Sequence, residues 1–350
     1  MTPTVEYRVF GNVAVTERVS DRGAVEVVEA DIAIVALGWE TRFTAFGDHV
    51  DLKVKKMIVL DFALKSTGIA AVEANREKLV AIGKRWGIDV TVVDLEASIE
   101  YQKNINILDH TLSQMAESYG SYQGNLRKVF VECSTMPRIY IQWLVAFAFK
   151  KVAIQSLEFG YAEGTYENAA GKEDFSSGLD RYVTVPHLQG GGGMGEEKIL
   201  LVGIGGDADV FYGLIDLVSP ERISLLVPRS ERNEHIDVLL DQQVAKVRET
   251  HRLEEGEVRD IEAFGLTAHL DAFEAYLEGF GSRSVVNVFV SGPKVQAIAA
   301  AVLACSDNRV QIKARIPTSY AHREVSANGR YHFYKLIDLT SPACSLPGTF

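Results

Sequence analysis

The sequence predicts an α/β protein made of two tandem units, each a mainly parallel sheet covered by helices. Three observations carry that prediction. Short apolar runs of strand length alternate with stretches of helical spacing. A glycine-rich joint, Pro186–Lys198, contains Gly190, Gly191, Gly192, Gly193 and Gly195, and no regular element packs on such a run. The series of signals before this joint recurs after it: Gly38 corresponds to Gly205 and Asp61 to Pro228, 167 residues on, and Ser134 to Ser291, 157 residues on. That recurrence points to internal duplication. The expected domains are residues 1–189 and 190–350.

The elements follow in order. Val5–Val28 alternates like a β-hairpin and reads as an extra edge whose place the sequence does not fix. Strands are expected at Ala30–Leu37, Met57–Asp61, Val90–Leu95, Val129–Cys133 and Val152–Leu157, with helices at Ala70–Trp86, Ile105–Tyr119 and Ile139–Lys150. Beyond the joint, strands are expected at Ile199–Ile204, Ile223–Val227, Val258–Phe264, Val285–Val290 and Val310–Ile316. Helices are expected at Val210–Val218, Glu234–His251, Leu270–Phe280 and Val295–Ala304. The last is apolar and alanine-rich, as a helix packed on a sheet should be. Strand–helix alternation of this kind gives two Rossmann-like units.

Composition narrows the function. Hydrophobic residues at 47% and charged residues at 24% are ordinary globular usage, and 350 residues suffice for two cores. The longest apolar runs fall far short of the ~20 residues of a membrane helix. Acids at Glu6 and Glu17 and the lack of an early apolar core argue against an export signal. Cys133, Cys305 and Cys344 are few and scattered, so neither a disulfide framework nor a cysteine zinc site is expected, and a reducing cytoplasm is the simplest setting. The histidines show no ligand spacing, so neither metal nor cofactor is expected. A net charge of −11 disfavours duplex nucleic acid, which needs phosphates neutralised over a wide face. A small anion needs only local donors.

In an open α/β sheet, ligands bind beyond the carboxyl ends of the strands. That rule selects Gly38-Trp39-Glu40-Thr41-Arg42, then Asp61 with Lys65-Ser66-Thr67-Gly68, then Cys133-Ser134-Thr135-Met136-Pro137-Arg138. Ser134 and Thr135 stand at a strand-to-helix turn, where backbone amides favour an anion, and Arg138 can close over it. The second half repeats the pattern with Gly203-Ile204-Gly205-Gly206-Asp207-Ala208-Asp209, Pro228-Arg229-Ser230-Glu231-Arg232 and Ser291-Gly292-Pro293-Lys294. The expected ligand contacts are therefore Gly38, Arg42, Ser134, Thr135, Arg138, Gly205, Gly206, Arg229, Ser291, Gly292 and Lys294. Each has a plainer reading: an N-cap, a tight turn, a local ion pair, or, for Cys133, inert core. Gly203–Ala208 also satisfies the permissive dinucleotide pattern, with Arg229 where an acid would ordinarily stand.

The second half resembles a CRISPR-associated Rossmann fold (CARF) domain. The resemblance rests on Ile199–Ile204 running into Gly205-Gly206-Asp207, on Leu225–Val227 followed by Pro228-Arg229-Ser230, and on Val288-Phe289-Val290-Ser291-Gly292-Pro293-Lys294. The last is similar to that family's ligand-facing turn, with Pro293 a departure from it. Two such units in one chain resemble the tandem SAVED sensor architecture. The resemblance implies a nucleotide-like ligand, with cyclic oligonucleotides foremost, bound across a two-fold or pseudo-two-fold cleft in antiviral defence. It implies a separate effector protein, because no effector segment is recognisable, and leaves a homodimer open. Two other readings stand beside the sensor. One is a metal-independent nuclease or nucleotide- or NAD-processing hydrolase at the same tips, with Glu40, Asp61, Asp207 and Asp209 as candidate acids. The other is an assembly subunit without a ligand.

Overall fold

The structure, a computed structural model, describes residues 6–62, 69–97, 99–118, 126–151, 153–165, 176–177, 181–191, 197–205, 212–230, 232, 234–251, 253, 256–320 and 324–340. The chain divides into two compact units, Met1–Asn168 with His322–Phe350, and Ala169–Ala321.

The first unit opens with the hairpin β1 (Arg8–Phe10) and β2 (Val13–Ser20), followed by β3 (Glu26–Glu29) and β4 (Ile32–Leu37). A 3-10 turn (Thr41–Thr44) and the short α1 (Phe46–His49) lead into β5 (Val50–Lys53), which pairs in parallel with β3. Then come β6 (Lys56–Phe62), α2 (Ile69–Trp86), β7 (Asp89–Leu95), α3 (Tyr101–Ser118), β8 (Leu126–Glu132), α4 (Arg138–Phe149) and β9 (Ile154–Thr165). The second unit holds β10 (Ser176–Ser177), β11 (Arg181–Thr184), β12 (Lys198–Gly203), α5 (Tyr212–Val218), β13 (Arg222–Arg229), α6 (Glu234–Thr250) and β14 (Val258–Glu262). It continues with α7 (Leu266–Glu278), β15 (Val285–Val290), α8 (Lys294–Ser306), β16 (Val310–Ile316) and β17 (Ser319–Tyr320), which pairs with β10. The chain then returns to the first unit as β18 (Ser326–Asp338).

The first sheet runs β1-β2-β18-β9-β8-β4-β6-β7, and the second β11-β16-β15-β12-β13-β14. Numbered within its own unit, each set of five parallel strands reads 3-2-1-4-5. That is the doubly wound order, which reverses between the first and fourth strands. Each fifth strand also carries an antiparallel neighbour, β18 on β9 and β11 on β16. The α/β fold class is thus the expected one.

The local reasons are the expected ones too. β4 is buried at every position, as a strand covered on both faces must be. α4 is buried from Ile139 to Ala148 and α8 from Val295 to Ala304, so both are apolar all round and enclosed by their units. The first core gathers Val35, Phe43, Phe46, Phe130, Tyr331 and Phe333. The second gathers Leu200, Val202, Leu225, Val227, Leu240 and Phe289.

The hairpin expected as an edge stands at one, and the boundary between the units differs from the expected one. The N-terminal hairpin joins the sheet through β18, with Tyr331–Asp338 facing Val13–Ser20 on one side and Ser156–Ala162 among its partners on the other. The division expected at residue 190 accordingly gives way to one near residue 168 and a return near 322. The cause is register: β18 completes the ladder between β2 and β9, which places residues 324–340 with the first core.

Candidate functional site

The switch point of each unit is built by the same device. Two loops, one after the first strand and one after the fourth, press against a glycine. In the first unit a Cβ on Gly38 would lie 2.6 Å from Thr135 Cβ, and the Thr135 hydroxyl donates to the Ala36 carbonyl at 2.6 Å. In the second, a Cβ on Gly205 would lie 2.1 Å from the Ser291 carbonyl oxygen. Only glycine permits that approach. An amide from the helix after the second strand locks each glycine: Asn75 Nδ2 donates to Gly38 O, and Gln243 Nε2 to Gly205 O, both at 2.8 Å.

The helices after the fourth strands match as well. α4 follows Pro137 and α8 follows Pro293, each an extended N-cap with no side-chain cap hydrogen bond. Arg138 and Lys294, both half-buried, take the first helical positions. A cation there opposes the helix dipole, whose positive end lies at that terminus.

Several expected ligand contacts are engaged within their own unit. Ser134 does not present its amide to an anion: its N–H donates to Glu132 Oε1 at 3.2 Å and its hydroxyl donates to the same oxygen, while that hydroxyl accepts the Ala162 N–H at 2.8 Å. Ser291 donates its N–H to Gly203 O at 2.8 Å, and its hydroxyl reaches the same oxygen at 3.3 Å. The Gly292 amide donates to Gln296 Oε1 at 3.1 Å. Arg229 clamps its own unit, reaching Asp241 at 2.6 Å, Asp260 at 2.8 Å and the Asp237 carbonyl at 3.3 Å. Of the candidate acids, Asp61 pairs with Arg76 and Glu40 with Arg42 at 2.5 Å. Cys133 is buried, and Arg232 lies on the surface. Gly206, Asp207, Asp209, Glu231, Cys344 and the stretch 65–68 lie outside the described residues.

A polar cluster that the sequence reading missed lies at the tips of β8, β9 and β18. Glu132 is fully buried, and burial pushes its carboxyl up to about 8 against the lowering pull of Ser134 and Arg42. Its Oε2 has no hydrogen-bond partner among the described residues. Arg42, 5% exposed, donates to Glu40 and, at 3.2 Å, to the Tyr161 hydroxyl. Glu163 is also fully buried; burial raises its carboxyl, but hydrogen bonds from His332 (3.1 Å) and Asn328, with Arg330 at 3.8 Å, hold it below the usual range. The visible signal for Glu132 was an acid inside the apolar run Val129–Cys133. Glu163 gave none because its strand was expected to end at Leu157, and His332 none because β18 was not read as a strand. The second unit carries a neutral counterpart under its turn: Gln296, fully buried, whose Nε2 has no partner among the described residues.

Among the described residues, no group of three or more His, Cys, Asp or Glu is gathered to hold a metal ion, and no helix is long and apolar enough to cross a membrane. Compared with known protein families and with curated proteins, the chain matches neither a family nor an individual protein.

Proposed function

We propose that the protein binds a nucleotide-like anion at the switch point of each unit and serves as a ligand-sensing regulator that signals to a separate effector. One observation carries the reading. At the same topological position in both units, a helix opens with a proline cap, no side-chain cap and a cation at its first residue. A cation against the dipole costs a few tenths of a kcal/mol or more, and a bound anion reverses that cost. The buried, unpartnered Gln296 Nε2 beneath one turn and the largely protonated Glu132 beneath the other leave neutral donor groups near an incoming phosphate. The shared strand order is what an internal duplication would leave. The resemblance to CARF domains makes cyclic oligonucleotides the first probes and antiviral defence the proposed setting.

The enzyme reading is favoured by one specific observation. Glu132, held protonated near neutral pH by burial against the lowering pull of the Arg42 guanidinium, has the properties of a general acid. A hydrolase acting on the same ligand would use it to protonate a leaving oxygen.

The experiment is a thermal-shift screen against cyclic di-, tri- and tetranucleotides, linear oligoadenylates, NAD and NADP, with mass spectrometry of each incubated ligand. A sensor raises the melting temperature and returns the ligand intact, whereas a hydrolase returns it cleaved. Arg138→Ala and Lys294→Ala should each weaken binding about tenfold and leave thermal stability of the free protein within a degree or two. Unchanged affinity in both variants overturns the placement, and silence across the panel favours an assembly subunit without a ligand.

A further inference from the structure

The first unit holds a cavity far from its strand tips. It is a space of about 280 Å³ between Val27–Ala30, around β3, and the sheet face of β8, β9, β18 and β2. Register places its polar lining on one face. Lys128 faces Ser156 across β8 and β9, and Glu158 faces Lys335 across β9 and β18. Side chains two apart along a strand share a face, so all four meet the same space.

The lining itself, with Arg18, Lys128 and Lys335 against Glu29 and Glu158, carries one net positive charge. Arg18 is already neutralised: it pairs with Glu158 at 2.7 Å and with Glu26 at 3.5 Å, and its guanidinium lies 4.3 Å over the Phe333 ring. Lys128 and Lys335 have no ion-pair partner among the described residues, and Glu29, the other acid on the rim, is exposed. Ser156 adds a hydroxyl donor that is 9% exposed. Two lysines without an ion-pair partner among the described residues, both on the lining of one cavity, stand out in a chain whose net charge is −11.

The geometry points to a second anion site here, which takes a small phosphate monoester. Lysine is a point-charge phosphate binder, and two of them balance a dianion. The volume lies just below the 300–1,000 Å³ of pockets for drug-sized ligands, so the occupant carries its phosphate on only a few further atoms. Glu158, held by Arg18, stays on the wall and turns away a second negative group. By strand rise, the cavity lies roughly 13 Å from Glu132 along β8, which separates it from the switch point.

The test is isothermal titration of the full-length protein with inorganic phosphate at constant ionic strength. Wild type should bind in the low-millimolar range or tighter. Lys128→Gln and Lys335→Gln should each weaken binding about tenfold, whereas Lys78→Gln, an exposed lysine of α2 outside both sites, should leave it unchanged. Lys128 is exposed, so its variant tests the site even where Lys335→Gln disturbs β18. The proposal is overturned by no phosphate heat up to about 10 mM, by binding in both cavity-lysine variants equal to wild type, or by an equal loss in Lys78→Gln.

Discussion

Glu132 shows how a single residue links the fold to its conditions. Its carboxyl ionises near 4.5 in the unfolded chain and near 8 in the folded one, so folding takes up a proton between those values. The stability that the protonated group contributes is therefore complete below about pH 4.5 and is lost as pH rises toward 8. Glu132→Gln stays neutral in both states and still accepts from Ser134. The melting temperature of Glu132→Gln should match wild type near pH 5 and exceed it increasingly up to pH 8, as read by calorimetric scans across that range. A constant difference would mean that the carboxyl is ionised in the folded protein. In sequence, Glu132 was visible only as an acid in an apolar run. What such an acid does depends on neighbours such as Arg42, 90 residues away, and no local pattern shows them.

At the scale of the element, the loop pair at each switch point sets the geometry. Gly205→Ala places a methyl against the backbone of Ser291 and Gly292, where nothing flexible can yield. A cost of about 1–3 kcal/mol is expected, seen as a lower unfolding midpoint in denaturant with an unchanged slope. The elements themselves were largely legible: β4, β12, α4 and α8 announce themselves as apolar runs of the right length and period. β18 was not. Its run Tyr331–Leu336 mixes aromatic residues with His332 and Lys335, and its Asn328-Gly329 pair, with Gly329 at φ +94°, reads as a turn. Both faces of that strand are largely buried, so the polar–apolar alternation that betrays a strand is missing. The Ser134 turn was legible as a place but not as a state, because its donors are consumed by a carboxyl two residues back.

For the whole molecule, the second unit is one continuous stretch of chain, whereas the first is assembled from two. Residues 169–321 expressed alone should give a single cooperative melt. Residues 1–168 alone lack the strand between β2 and β9, and should show exposed apolar surface by dye binding and no sharp transition. Adding a peptide of residues 322–350 in trans should restore the transition. A cooperative melt of 1–168 without that peptide would show that β18 is dispensable. The mainly parallel sheets followed from the alternation of elements, but the crossing of the chain between units did not, because long-range pairing leaves little trace in local spacing.

β18 also imposes an order in time. A ribosome that has finished β9 must still synthesise residues 166–325 before the strand between β2 and β9 exists. At ~5–20 residues per second that delay is on the order of 10–30 s. Throughout it, the nascent first unit carries unpaired backbone along β9 and a detached hairpin, both open to pairing with other chains. Holdase chaperones should therefore act chiefly in that interval, and slowing translation through the second unit should lower the yield of native protein.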